Sequence, residues 1–274
     1  MSILLFTAVV FGGALGAGLL GSLTGLGGGV VIVPLLTVVL GVDIRYAIGA
    51  SLVSVIATSS GAAAAYVREG FTNIRIGMFL EVGTTAGAIV GAALATRLPP
   101  HVIETVFGVV LLVSVYLTLR LREPEPVPRA TGLAARLRLQ GTLPTPEGPV
   151  PYAPQRVPLG FGIMTVAGAL SGLLGIGSGA VKVLALDQAM RLPFKVSTTT
   201  SNFMIGVTAA ASAGIYLHRG FIDPAIAAPV MLGVLAGSLT GARLLTVAHS
   251  TVLRWVFSGA ILALGIEMIV TGLR

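Results

Sequence analysis

The first charged side chain in this protein is Asp43; from Met1 to Val42 there is none. At 1.5 Å per residue, the apolar stretch from Ile3 to Leu40 would make a helix about 57 Å long, against a bilayer hydrocarbon core of roughly 30 Å. The run must therefore break or turn back. In its middle lies GSLTGLGGGVVIVP, Gly21 to Pro34, with five glycines. Each glycine costs a helix interior about 1 kcal/mol relative to alanine, so the break is expected there.

Further charge-poor runs cover Tyr46 to Val67, Ile76 to Leu98, Val102 to Leu119, Val157 to Val181, Val196 to Leu217, Pro224 to Ala242 and Val252 to Leu273. Each reaches or approaches the roughly 20 residues that span a bilayer. With 55% hydrophobic and only 10% charged residues and a mean hydropathy of +0.97, the chain is that of an integral membrane protein. The amino-terminal run lacks the positive flank of a signal peptide and reads as the first span. The absence of cysteine excludes disulfides, thiolate metal sites and thiol relays. The net charge of +7 reflects basic loops facing the cytoplasm and its anionic lipids rather than nucleic-acid binding.

Sliding the sequence against itself by 150 residues aligns the two halves without a gap. Gly25, Gly27 and Gly29 fall on Gly175, Gly177 and Gly179, Ser51 on Ser201, and Tyr66 on Tyr216. Gly70 and Phe71 fall on Gly220 and Phe221, and Gly83, Gly87 and Gly91 on Gly233, Gly237 and Gly241. The expected fold is an all-α integral membrane protein of about eight transmembrane helices. These form two homologous four-helix halves, residues 1–121 and 158–274, with broken or re-entrant glycine-rich helices. Residues 122–157 read as a cytoplasmic, mostly irregular linker, since Arg120 to Arg156 is proline-rich and holds six arginines against three glutamates. One crossing with a re-entrant continuation would give parallel repeats, and an odd number of crossings inverted ones. Charge leaves both open.

Irregular backbone inside a bilayer is tolerated only where protein or a water-filled cavity covers it. Breaks at Gly25 to Gly29 and Gly175 to Gly179 therefore imply two shielded places. Duplicated transporters set such breaks at a central site where freed amides meet an anion. Gly27, Gly28 and Gly29 in the first half, and Gly177, Ser178 and Gly179 in the second, are the candidate backbone ligands. The evenly spaced glycines of GTTAGAIVG and GVLAGSLTG read instead as close helix packing. A phosphate-loop reading of GLGGG fails for want of a preceding strand.

Lys182 lies three residues beyond Gly179 in an otherwise apolar run, where a charge at span centre costs about 2.5–3.5 kcal/mol on insertion scales. Two readings stay open: it binds the substrate anion, or it pairs with Glu81 or Asp187, the two candidate ion-coupling carboxylates. Glu267 and Arg243 are close enough to span ends to reach the interface. Hydroxyl and amide donors gather in KVSTTTSNF, with Thr199, Thr200, Ser201 and Asn202 as candidate anion ligands opposite Ser51. Helix capping by Ser197 to Thr200 is the alternative. His101, His218 and His249 stand at span ends with no carboxylate at metal-ligand spacing. No catalytic constellation, cofactor or metal site is expected.

The residues now carry a resemblance. GLLGSLTGLGGGVVIVPLL, IGASLVSVIATSSGAAAAYVREGFTNIRIG and their second copies GALSGLLGIGSGAVKVLAL and STTTSNFMIGVTAAASAGIYLHRGFIDP resemble the TauE/SafE (TSUP) family of sulfite and organosulfonate exporters. The likeness covers nearly the whole chain outside the linker. Ala50 departs from the threonine common there, and Lys182 and TTTSN are peculiar to the second half. The resemblance implies an eight-helix permease moving sulfite, sulfoacetate or related sulfonates across a bacterial inner membrane. Thiosulfate import through cysteines, known among relatives, does not fit a chain without cysteine. With no ATP-binding motif, flow would be passive or driven by an ion gradient. Its expected partners are a small anionic substrate and membrane lipid, with a homodimer open and no nucleic acid. The competing class is a non-transporting membrane scaffold or assembly factor.

Overall fold

In the computed structural model, residues 3–24, 28–68, 70–120, 132–144, 148–177, 179–244 and 250–273 are described. The first half forms α1 (Ile3–Thr24) and α2 (Gly29–Pro34), which runs on into a π-helical segment, Leu35–Val39. It continues with α3 (Ile44–Arg68), α4 (Ile74–Ala95) and α5 (Pro100–Arg120). After the connection come α7 (Val157–Leu174) and α8 (Gly179–Leu184) with its π-helical segment Ala185–Ala189. The half closes with α9 (Phe194–His218), α10 (Pro224–Leu244) and α11 (Ser250–Leu273). A shift of 150 superimposes α2 on α8 and α3 on α9 end to end, and both π-helical segments on each other. The duplication read from the residues is thus a duplication of elements.

The chain turns back at each glycine break. Leu35 packs on Gly13, and Gly28 sits beside Gly18, so α2 runs antiparallel to the end of α1. In the second half Met190 packs on Gly160, and α8 with its π-helical segment returns along α7 in the same way. Each returning segment is eleven residues, 29–39 and 179–189, or about 16 Å of helix, half the thickness of a hydrocarbon core.

Relative orientation, which charge leaves open, follows from the packing. Helices α5 and α11 are repeat equivalents. Gly265 lies against Leu111 and Leu112, and Gly272 against His101 and Thr105, so the two run antiparallel. Across the molecule Arg45 sits over the Phe221 ring and its repeat counterpart Lys195 over Phe71, at 5.6 and 3.5 Å from the ring centroids. The halves are inverted copies related by a pseudo-two-fold axis, as duplicated transporters commonly are.

They also interlock. Gly83, Gly87 and Gly91 of α4 meet α7 so closely that an added Cβ at Gly87 or Gly91 would fall on the carbonyls of Thr165 or Ala169. Gly168 and Gly172 meet Thr84 and Ala88 from the other side. Helices α10 and α1 repeat this contact through Gly233 and Gly237. The evenly spaced glycines are packing residues, as expected. The opposite face of α4 presents Met78, Val82, Ile89 and Val90 outward. Among the described residues, α4 and α7 meet in full the length and hydropathy of a membrane span, with shorter apolar runs in α1, α2, α3, α5, α10 and α11.

The connection, expected to be mostly irregular, carries α6 (Leu133–Arg136) and an antiparallel hairpin, β1 (Gly141–Leu143) with β2 (Val150–Tyr152). The hairpin docks on the α3–α4 turn. The Asn73 side-chain amide donates to the Tyr152 hydroxyl at 3.0 Å, while Asn73 Oδ1 accepts from the Ile76 amide at 3.1 Å and so caps α4. Arg75 Nη1 donates to the Arg138 carbonyl at 3.3 Å. Burial pushes the Tyr152 phenol above its ordinary pKa, and the Asn73 hydrogen bond partly offsets this.

Candidate functional site

The two glycine breaks meet. At the second, Gly175 closes α7 in the left-handed conformation at φ +67°, its N–H donating to the Ser171 carbonyl at 2.8 Å, and Gly177 repeats the left-handed turn at φ +69°. Only glycine adopts these angles without strain. Ser51, from α3 of the other half, donates to the Gly175 carbonyl at 2.8 Å. Gly29 fits against Ser51, Val55 and that same carbonyl. Gly177 fits between Ile205 and Val55, and Ser201 Oγ lies 3.5 Å from the Gly179 carbonyl, at the weak limit of a hydrogen bond. Gly28, Gly29, Ser51, Gly177, Gly179 and Ser201 thus converge from both halves. Gly27 and Ser178 lie outside the described residues.

The carbonyls that a broken helix leaves free need donors. Tyr216 supplies one: its hydroxyl donates toward the Gly172 carbonyl at 3.2 Å and the Leu173 carbonyl at 3.4 Å. At the start of α2, the Gly28 carbonyl accepts from the Val31 and Ile32 amides, both at 3.1 Å. A helix start leaves its first N–H groups without partners inside the helix, and Gly29 and Val30 at this start are buried. Backbone donors of this kind suit an oxyanion.

Thr199 and Thr200 do not join this cluster. Thr199 donates to the Phe71 carbonyl at 3.0 Å and the Lys195 carbonyl at 2.8 Å, and Thr200 Oγ1 accepts from the Asn73 amide at 3.1 Å. Both hydroxyls pin the α3–α4 turn to the first turns of α9. The rich donor count of TTTSN misleads because a helix scatters consecutive residues round its axis, and only Ser201 faces the break. Asn202 is half-buried. Capping fares no better: Pro193 holds the N-cap of α9 without a side-chain bond.

Lys182 is fully buried, and its ammonium donates to the Thr208 hydroxyl at 2.6 Å. Thr208 donates in turn to Glu81 Oε1 at 2.7 Å, which also accepts from Thr85 at 3.1 Å. Glu81 Oε2 is buried with no hydrogen-bond partner among the described residues. The pairing with Glu81 is therefore the geometry found, with a hydroxyl between the charges. Asp187, in the π-helical segment after α8, accepts from Gln188 Nε2 at 2.9 Å. Thr208 lies one turn beyond Ile205, the residue against Gly177, so the charged chain adjoins the glycine breaks. It ties α4 of one half to α8 and α9 of the other.

Thr208 and Tyr216 were missed among the candidate residues, although each has an identical repeat partner, Thr58 and Tyr66. Glu267, His101 and His218 are exposed, while His249 and the Arg243 side chain lie outside the described residues. Among the described residues, no group of three His, Cys, Asp or Glu side chains is placed to hold a metal ion.

Comparison with known proteins fits the arrangement. The family model of the sulfite exporter TauE/SafE matches residues 10–268. The chain is 28% identical over 266 residues to "Probable membrane transporter protein YunE" of Bacillus subtilis (strain 168), covering 94% of this chain and 95% of that protein. It is 28% identical over 232 residues to "Probable membrane transporter protein YdhB" of the same organism, covering 84% and 86%. It is 26% identical over 268 residues to a "Probable membrane transporter protein" of Xylella fastidiosa (strain 9a5c), covering 97% and 95%. No solved structure matches the chain. With inverted, interlocked halves meeting at two glycine breaks, and a family match over nearly its whole length, this chain belongs to the sulfite exporter TauE/SafE family of membrane transporters.

Proposed function

We propose that this protein is a secondary transporter that exports a small sulfur-containing oxyanion, sulfite or an organosulfonate such as sulfoacetate, across a bacterial inner membrane. The observation that carries the reading is the meeting of the two breaks through Ser51 and the Gly175 carbonyl. The backbone of a helix start and neutral hydroxyls from both halves lie at the meeting of the breaks, next to a buried ammonium. Three oxygens on one sulfur present acceptors in several directions, which suits donors arriving from two inverted halves. Exchange of the two halves' conformations would expose this place to either side in turn.

In this reading α3, α4, α5 and their counterparts α9, α10, α11 cross the membrane, and α1 and α7, the other two of the eight expected long helices, enter it from opposite faces and turn back at their breaks into α2 and α8. The arginine-rich connection lies on the cytoplasmic side. Coupling to an ion gradient falls to Glu81, the protonatable carboxylate of the buried chain.

The test is flux from proteoliposomes holding the full chain. Sulfite or sulfoacetate preloaded inside is expected to leave faster than from protein-free vesicles. Protein-containing vesicles that release sulfite, sulfoacetate and taurine no faster than empty ones, under any proton or sodium gradient, would overturn the reading.

A further inference from the structure

The Lys182–Thr208–Glu81 chain occurs on one side of the pseudo-two-fold axis only. Its repeat counterparts are Ile32, Thr58 and Met231, so the other half keeps the hydroxyl and loses both charges. A structural pair serving mere cohesion of a duplicated bundle has no need to be asymmetric. A single charged group pair next to a single substrate place is what a coupling device requires.

Among the described residues no other charged side chain hydrogen-bonds to it, and the nearby buried carboxylate, Asp187 in the π-helical segment after α8, accepts from Gln188. Helix α7 has no titratable side chain, α8 has Lys182 alone, α9 has Lys195 and His218 near its ends and Tyr216 turned to the α7 carbonyls, and α4 has only Arg75 besides Glu81. Within the hydrogen-bonded chain the charges are those of Glu81 and Lys182, to which an entering ligand adds its own. Glu81 is the eighth residue of α4, about 10 Å along it, deep enough that net charge is expensive. Sodium is a poor ligand for the carboxylate, because the Thr208 oxygen it would need already accepts from the tethered ammonium. A proton has an open position, the unpartnered Oε2.

We propose that Lys182, Thr208 and Glu81 form a charge-compensating switch that makes transport an electroneutral symport of one proton with one monovalent anion, a divalent one such as sulfoacetate taking a second proton on its own carboxylate, with outward flow driven by the anion's own concentration gradient. With Glu81 ionised, the ammonium is balanced and the empty site carries no net charge. When a proton from water adds to Oε2, Lys182 loses its counter-charge and the site binds the anion to restore neutrality. Release of the anion on the far side lets Oε2 return the proton to water there. The two remaining combinations, proton without anion and anion without proton, leave a net buried charge and do not cross. Thr208 carries the signal: it keeps donating to Oε1 and accepting from the ammonium in both states, so neither charge is stranded as the carboxyl titrates.

The inference rests on the transport reading above. The test separates the two. Proteoliposomes with an entrapped pH dye are given a gradient of isethionate, a monovalent sulfonate, in sodium-free buffer with the membrane potential clamped by potassium and valinomycin. The expected result is one proton moved with each isethionate, at a rate indifferent to the clamped potential. Isethionate flux that moves no proton, follows the potential, or needs sodium overturns the symport while leaving transport standing. Absence of flux for isethionate, sulfite and sulfoacetate alike overturns the transport reading itself.

Binding gives an independent check on variants that do not transport. In thermal-shift titrations with isethionate at neutral pH, Glu81→Gln is expected to tighten binding about tenfold, and Lys182→Met to weaken it by a similar factor. A merely structural pair predicts no tightening in Glu81→Gln, and that result overturns the proposal. In the wild type, infrared titration should show a carboxylic C=O band that grows on acidification and is missing from Glu81→Gln. Wild-type protein without such a titrating band also overturns it.

Discussion

At the scale of single residues, the site divides into groups that hold the breaks and groups that hold charge. Ser51 is of the first kind. Its hydroxyl spans the two halves through one hydrogen bond to the Gly175 carbonyl, worth about 0.5–1.5 kcal/mol net. Ser51→Ala is expected to lower stability by about that amount in a thermal melt and to reduce anion flux far more than the stability loss explains. Thr208 is of the second kind. Thr208→Val removes the hydroxyl between a buried ammonium and a buried carboxylate, leaving both under-satisfied at a cost of about 1–3 kcal/mol or more. Thr208→Ser, which keeps the hydroxyl, should restore most of the melting temperature. Equal melting temperatures for the Val and Ser variants would contradict the role given to this hydroxyl. The sequence exposed Lys182 and Glu81 because charge is conspicuous in an apolar run. It hid Thr208, since a threonine in a small-residue helix carries no such signal.

At the scale of elements, one residue type does two jobs. The glycines of α4 and α7 are spaced by four, lie on one helix face, and let backbones touch. Gly87→Val would drive its branches onto the Thr165 carbonyl, an overpacking penalty of about 1–3 kcal/mol. Gly162→Val, on the open face of α7 with nothing within 4 Å, should melt like the wild type. The glycines of the breaks act through conformation instead. Gly175 and Gly177 stand at φ +67° and +69°, so Ala there is strained whatever the space around it. Spacing separates the two jobs in the sequence: a period of four marks a packing stripe, and crowding marks a break. What spacing does not reveal is where the chain goes after the break. The returning α2 and α8 depend on Leu35 finding Gly13 and Met190 finding Gly160, contacts between residues far enough apart that no local pattern records them.

At the scale of the whole molecule, the inverted arrangement makes a topological prediction. Arg75 and Ala225 are repeat equivalents, each exposed near the start of its helix, α4 and α10. In a chain without native cysteine, Arg75→Cys and Ala225→Cys should react with a membrane-impermeant maleimide from opposite faces of oriented vesicles. Labelling of both from one face would contradict inverted repeats. The connection adds a pH prediction. Tyr152 has its pKa raised by burial, so its neutral form is favoured in the docked hairpin. The sign follows: docking is fully stabilised below the unfolded value of about 10 and weakens as pH rises through the higher folded value. Hydrogen exchange in residues 141–152 should speed up in that alkaline range beyond the intrinsic rise, and the effect should vanish in Tyr152→Phe.

By itself the sequence determined that this protein lives in a membrane, that it is built twice at a shift of 150 residues, and that each copy breaks at a glycine cluster. These follow from hydropathy, spacing and conformational cost, which are properties of the chain read in order. Only the tertiary structure decided that the copies are inverted, that Thr199 and Thr200 serve a turn rather than the break, and that Lys182 reaches Glu81 through Thr208. Those outcomes depend on which helix faces meet across more than a hundred residues of chain, as Glu81 and Thr208 do, and a one-dimensional pattern does not carry the angle at which two helices face each other.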